Sequence, residues 1–310
     1  MESFQLTTPV VFIIFNRPDK TKIVFEEIRK AKPNKLLVIA DGPRADRSGE
    51  DNKCREVREI IETVDWECEV IKNYSDINLG CKKRVSSGLD WAFKTVDEAI
   101  ILEDDCLPHQ SFFRFCQELL EKYRYDERIM IISGNNYQRG INRINYSYYF
   151  SRYPHIWGWA SWRRSWQYYD LDIKLWPEVR DNKWLDSIFH DKNIIQFWYK
   201  IFEDSFAKKT NAWDYQLSFA SLVQNKLNIM PNINLISNIG FDSDATHTFN
   251  PDNINANLKT EAMNFPLTHP NFMIRNAVLE KDVEQKNFAV KSLYTRIINK
   301  IKRELRVLAK

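Results

Sequence analysis

The sequence predicts an α/β fold, a mostly parallel sheet with helices on both faces. Three observations predict it. Short, uninterrupted apolar runs rich in β-branched residues recur at residues 9–15 (PVVFIIF), 36–40 (LLVIA) and 100–102, the form expected of strands buried on both faces. Segments with helical spacing of apolar residues lie between them. Each run ends abruptly in polar or acidic residues, where an open sheet of this kind presents its ligand-binding edge.

The elements follow in order. After the first run, Asn16-Arg17-Pro18 stops the strand and opens a helix, with Asn16 as its expected cap and Pro18 in the first turn. Val24, Ile28 and Ala31 supply that helix's apolar face until Pro33. The second run ends at Asp41-Gly42-Pro43-Arg44, a turn that sets an acid and an arginine at a strand's carboxyl end. A helix over 54–63, a strand near 68–72, a helix near 82–94 and a strand ending at Glu103 complete four alternations of strand and helix. A helix over 111–123 and a strand over 128–133 follow, closed by Gly134-Asn135-Asn136. The second half is less regular, with a strand over 146–150, a segment crowded by Trp157, Trp159, Trp162 and Trp166, and helices over 193–208 and 213–224. Most of these tryptophans are expected in the core, with at most two touching a ligand.

Composition bounds the function. A chain of 310 residues with 44% hydrophobic residues buries a full core and is neither disordered nor fibrous. The five cysteines lack metal-ligand spacing, residues 1–4 lack the basic and apolar parts of a secretion signal, and no apolar run approaches the roughly 20 residues of a membrane span. Reduced thiols and a cytoplasmic location are expected. The net charge of +3 is uneven: residues 291–310 hold seven basic residues against Glu304, which puts +6 there and −3 on the rest. The body is therefore not a nucleic-acid binder by charge. In the tail, Leu293, Ile297, Ile301 and Leu308 form a stripe with Arg296, Lys300, Arg303 and Arg306 mainly opposite, a basic amphipathic helix. It suits either an anionic membrane surface or packing on the domain.

The chemistry concentrates at Ile100-Ile101-Leu102-Glu103-Asp104-Asp105, a buried strand ending in three carboxylates. Such a cluster is either a solvated acidic loop or a site for a hard divalent cation, Mg²⁺ or Mn²⁺. That cation is held by one or two carboxylates together with substrate phosphates. Neither GxGxxG nor GxxxxGK[ST] occurs, so a dinucleotide fold or a phosphate loop is unsupported.

The order of Pro9-Val10-Val11 with Asn16-Arg17-Pro18, Ile39-Ala40-Asp41-Gly42, Asn78-Leu79-Gly80 and Leu102-Glu103-Asp104-Asp105 resembles that of GT-A fold (Rossmann-like) nucleotide-sugar glycosyltransferases. Phe112-Phe113, Ser133-Gly134-Asn135, Gly158-Trp159, Trp213-Asp214 and the loop from Gly240 to His247 continue the likeness over roughly residues 9–250. They run in the order found in the N-acetylglucosaminyltransferases that begin N-glycan branching. Bacterial family-2-like glycosyltransferases are similar. The resemblance implies that Asp105 binds the divalent ion bridging the donor diphosphate, with Asp104 near the ribose and Glu103 near the transferred sugar. It implies that Asp41 accepts from a pyrimidine base, with Phe15, Asn16 and Arg17 beside the nucleotide and Trp159 and Trp213 at the donor. Asp214 matches the catalytic base and His247 a loop histidine at the metal or phosphates. The relatives' histidine in the helix after Gly80 is missing here, which leaves Lys83 or Arg84 for the phosphates.

Read without the resemblance, Asp214 is a helix-start acid favoured by the dipole, and His247 a residue held by a polar loop. Three functions stay open. One is a metal-dependent inverting glycosyltransferase that uses a nucleotide-sugar donor, a UDP-sugar, and a glycan or lipid-linked saccharide acceptor. The others are a non-catalytic carbohydrate-binding protein and a metal-dependent nucleotidyltransferase or phosphoesterase. The expected organisation is one catalytic domain over 1–288, with nucleotide-binding and acceptor-binding halves meeting near 135, and the helical tail over 289–310.

Overall fold

The computed structural model describes residues 4–138, 144–241 and 253–288. His247 and the tail over 289–310 lie outside the described residues. Four strands, β1 (Val10–Ile14), β2 (Lys35–Ala40), β3 (Glu69–Tyr74) and β4 (Glu98–Glu103), alternate with α1 (Pro18–Ala31), α2 (Glu50–Ile61) and α3 (Cys81–Thr95). Next come β5 (Cys106–Pro108), α4 (Ser111–Lys122), β6 (Ile129–Ser133), β7 (Tyr148–Ser151), β8 (Trp159–Trp162) and α5 (Arg163–Trp166). Helices α6 (Trp176–Asp181), α7 (Leu185–Ile188), α8 (Lys192–Phe206) and α9 (Asp214–Val223) precede β9 (Leu227–Pro231), β10 (Ile236–Asn238) and α10 (Ala277–Val283). A π-helical turn, Glu284–Phe288, follows.

Eight strands form one sheet in the order β3-β2-β1-β4-β8-β6-β9-β7. The pairings β1–β2, β2–β3, β1–β4 and β6–β9 are parallel; β8 is antiparallel to both β4 and β6, and β7 to β9. The sheet is thus mixed but mostly parallel, as expected. Two strands of this sheet, β8 and β9, are absent from the sequence reading, as are β5 and β10 beside it. The tryptophan segment 159–162 is a central strand, and period-2 alternation sends its side chains to opposite faces. Trp162 joins the core on one face, with Val10, Phe12, Leu36, Val38 and the aromatic stripe of α4. Trp159 joins the other, with Val11, Ile13, Leu37 and α3's Val85 and Leu89. Burial of both faces explains why β1, β2 and β4 read as continuous apolar runs.

Helix α1 buries Thr21, Val24, Phe25 and Ile28, and its first turn contains Pro18. Its cap corrects the expectation. Arg17, not Asn16, is the N-cap and makes no side-chain cap bond. The chain ends the helix at Lys32 in the left-handed region (φ 49°), whose N–H donates to the Ile28 carbonyl, and Pro33 prevents continuation. Helices α6 to α9 pack a third cluster around Trp176, Trp198, Phe202 and Phe219. Among the described residues no helix is long and apolar enough to cross a membrane, and all five cysteines are free.

Register positions the site. Ile14 pairs with Ala40 on one side, and Ile13 pairs with Glu103 on the other. Phe15 and Arg17, Asp41, and the acids 103–105 therefore leave the sheet side by side. Across from them, β5 pairs with β10, Cys106 opposite Asn238, and the Ile239 N–H donates to the Asp105 carbonyl at 2.9 Å.

Candidate active site

The carboxyl ends of β1, β2 and β4, the start of α3, the Trp213–Asp214 corner and the strand β10 loop enclose a cavity of about 700 Å³. Its wall includes Phe15, Arg17, Asp41, Arg84, Glu103, Asp104, Asp105, Trp213 and Asp214 from the sequence reading. Trp157, Tyr215 and Ile201 supply apolar surface at the same cavity.

The acids are not equivalent. The Arg17 Nη2 donates to Asp104 Oδ1 and stands 3.1 Å from Asp105 Oδ2, while the Phe15 N–H donates to Asp104 Oδ2 at 3.3 Å. The side chain of Asp104 is only 4% exposed, against 17% for Asp105. Burial, then the charges of Asp105 and Asp104, pushes the Glu103 carboxyl well above its usual range, with Arg17 countering only in part. Burial also raises Asp104 despite the guanidinium beside it. For Arg17 burial alone would favour loss of the proton, but Asp104 and Asp105 outweigh it and hold the side chain firmly cationic. Of the two carboxylates beside Arg17, Asp105 is therefore the more accessible oxygen donor. Among the described residues no three acids, histidines or cysteines form a ready metal cage. One accessible carboxylate suits a hydrated hard cation completed by phosphate oxygens, and does not suit a protein-only site.

Several expected ligand contacts are instead committed to the protein. Asp41 Oδ1 accepts the N–H groups of Gly42 and Leu79, both at 2.9 Å, and its Oδ2 accepts that of Gly80 at 3.0 Å. With roughly four lone-pair sites on a carboxylate, one acceptor position remains on Oδ2. The Asn16 amide donates to Glu50 Oε1 at 2.8 Å and does not line the cavity. Arg84, 5% exposed, donates from Nε to the Ala40 carbonyl at 3.0 Å and from Nη2 to Asn73 Oδ1 at 2.6 Å, so it braces β2 against β3. Lys83 is exposed and outside the wall. Successive helix residues point about 100° apart, so Lys83 and Arg84 could not share a direction. Trp159 is 1% exposed and lies behind the wall, stacked on Trp213 at 5.9 Å between centroids. It supports the site from the core and does not line it.

Two residues at the site carry no sign of their partners in the sequence, although Gly240 opens a loop already read there. Glu50, buried in the first turn of α2, receives the Asn16 amide, the Arg44 N–H at 2.6 Å and the Arg44 guanidinium, and so ties the loop after β1 to the loop after β2. That places the Arg44 guanidinium 5.6 Å from the Phe15 ring centroid, a cation over an aromatic face at the cavity rim. An acid in a first helical turn is ordinary and carries no signal of its partners. Gly240 is the second. A Cβ there would collide with Asp105 Oδ2, lie 2.8 Å from the Asp105 Cβ and 2.9 Å from Arg17 Nη1. We expect Gly240→Ala to displace Asp105 and Arg17 and to weaken divalent-cation binding with nucleotide by about tenfold or more. Titration of the folded variant with Mn²⁺ and UDP checks this; wild-type affinity would show that the loop yields instead.

Asp214 is the first residue of α9, which Trp213 precedes. The corner is braced by Gln216, fully buried, whose amide in its satisfied orientation donates to the carbonyls of Ala212 and Trp213 at 3.1 Å and accepts from Lys82 Nζ at 2.8 Å. Burial pushes the Asp214 carboxyl up to about 6, while its own amide and that of Tyr215 pull the other way. A carboxylate tuned there is still largely ionised at neutral pH and more basic than a surface aspartate.

No family model matches the chain, and no curated protein does. Among solved structures it is similar to a UDP-glucose pyrophosphorylase complexed with UDP-glucose, with TM-score 0.37 and 10% identity, covering 73% of this chain and 90% of that one. It is similar also to the mannosyltransferase PcManGT from Pyrobaculum calidifontis in complex with GDP-Man and Mn²⁺, with TM-score 0.37 and 11% identity over 72% and 75% of the two chains. A cytidylyltransferase from Leptospira borgpetersenii matches with TM-score 0.32 and 11% identity over 58% and 73%.

Proposed function

We propose that the chain is a metal-dependent inverting glycosyltransferase of GT-A type that moves a sugar from a UDP-sugar to a hydroxyl of a glycan or lipid-linked saccharide. The observation that carries the reading is convergence: a strand-end carboxylate open to a cation, an arginine beside it, an aromatic–arginine rim and a buried, raised aspartate share one cavity. The base of the donor lies against Phe15 and Arg44, with the free acceptor position of Asp41 facing a ring N–H. Asp105 would hold the divalent ion together with the diphosphate oxygens. That ion would stabilise, as a Lewis acid, the charge gained by the leaving nucleoside diphosphate. Asp214 takes the proton of the acceptor hydroxyl as its oxygen bonds to the anomeric carbon. The bond from that carbon to the diphosphate oxygen breaks, and the electron pair leaves with the diphosphate.

Calorimetric titration of UDP-, ADP- and GDP-sugars with and without Mn²⁺, followed by assay of released UDP and of the product anomer, tests the reading. UDP-sugar should bind tightest, and chelation should abolish it. Release of pyrophosphate would point to nucleotidyl transfer, and a retained anomer would exclude Asp214 as base of a single displacement.

A further inference from the structure

Resting on the reading of Asp105 as the carboxylate that meets a metal–diphosphate, the ion pairs around it assign a further role to Arg17. The guanidinium reaches from the N-cap of α1 into the cavity wall, where its side chain is 16% exposed. It donates to Asp104 and stands 3.1 Å from Asp105 Oδ2, the same carboxylate that faces the cavity. A divalent cation on that oxygen would come into contact with a fixed positive charge, so the two compete for Asp105. The other arginines of the wall do not relieve the conflict: Arg44 is paired with Glu50, and Arg84 with backbone carbonyls. Close approach of Gly240 to both Asp105 and Arg17 leaves no space for a side chain between them. A diphosphate changes the balance, because its oxygens match the planar fork of a guanidinium better than a single shared carboxylate oxygen does.

We propose that Arg17 is an exchangeable counter-ion that occupies Asp105 in the absence of nucleotide, and that a diphosphate draws it away and so admits the divalent cation and the nucleotide together. Free cation is excluded from the empty site. Coupling of this kind is reciprocal, so the cation must tighten nucleotide by the same factor as nucleotide tightens the cation. Arg17 acts here as a positioning residue through Asp105, separate from any contact it makes in the reaction.

The test is titration of Mn²⁺ alone, and of Mn²⁺ with saturating UDP, into the full chain, Arg17→Gln, Arg17→Lys, and both changes in an Asp105→Asn background. Arg17→Gln should bind Mn²⁺ alone about tenfold more tightly or better than wild type, and the tightening by UDP should shrink by a similar factor. Arg17→Lys, which keeps the charge but not the fork, should fall between. In the Asp105→Asn background neither change should matter. Circular dichroism establishes that each variant is folded; if Arg17→Gln is not, the Arg17→Lys comparison decides. Affinity for Mn²⁺ alone that is no tighter in the folded variants than in wild type would overturn the counter-ion role. Failure of UDP to tighten Mn²⁺ in wild type would instead overturn the nucleotide reading, while the Mn²⁺-alone comparison still reads whether Arg17 occupies Asp105.

Discussion

Asp214→Asn should keep donor affinity and lose about 10²–10⁴ in turnover, the range for removal of a positioned acid–base group. The substitution retains the size of the side chain and an acceptor for the Tyr215 amide, so the α9 corner and the cavity wall persist. Because burial raises the carboxyl to about 6, wild-type turnover should climb as pH rises through that value and then level off, with the Asn variant lacking the step. Stability moves the other way. A folded-state value above the unfolded one means that folding favours the protonated form, so stability declines as pH rises from about 4 to about 6. Above that window the ionised Asp214 is a standing cost, and the Asn variant should melt higher than wild type. Below about pH 4 the two should converge. Steady-state rates against pH and paired thermal melts check both arms; near-normal turnover in the variant would remove Asp214 from the mechanism.

Asp105→Ala should abolish metal-dependent nucleotide binding, and with it transfer, while the protein still folds. Its side chain pairs with Arg17, which keeps Asp104, and its backbone carbonyl still receives the Ile239 N–H at 2.9 Å. Removing one of three neighbouring negative charges should also relieve Glu103, which burial and the charges of Asp105 and Asp104 hold up. The measurement is Mn²⁺ titration with UDP, beside a thermal melt that stays at or above the wild-type midpoint. Unchanged binding would refute the assignment of Asp105.

Both predictions draw on features visible in the sequence, though not on equal terms. The runs that become β1, β2 and β4 were legible because both faces of those strands are buried, and their apolar composition is unbroken. Their polar ends were legible for the same reason, as the points where burial stops. Strand β8 was not, because WASW in a chain rich in aromatics carries no local sign that it will be inserted antiparallel between β4 and β6. Nor was the fate of Asn16, whose side chain reads as a cap but finds Glu50 across the turn after β2. Lys83 and Trp159 failed for a shared reason: exposure to the cavity depends on the rotation of α3 and on which face of β8 points to the site, and residue type determines neither.

The sequence by itself determined that three acids terminate a buried strand, that an arginine and an aromatic terminate another, and that an aspartate opens a later helix. Burial and turn chemistry act over a few residues and leave their mark in local pattern. Only the tertiary structure decided the partners: Arg17 on Asp104 across 87 residues, Gly240 against Asp105, and Glu50 holding Arg44 beside Phe15. Those contacts follow from strand register, including the antiparallel pairing of β5 with β10, where a shift of one residue would send each side chain to the opposite face. The charges of this site were written along the chain, and their pairing arises from the sheet that brings their strands together.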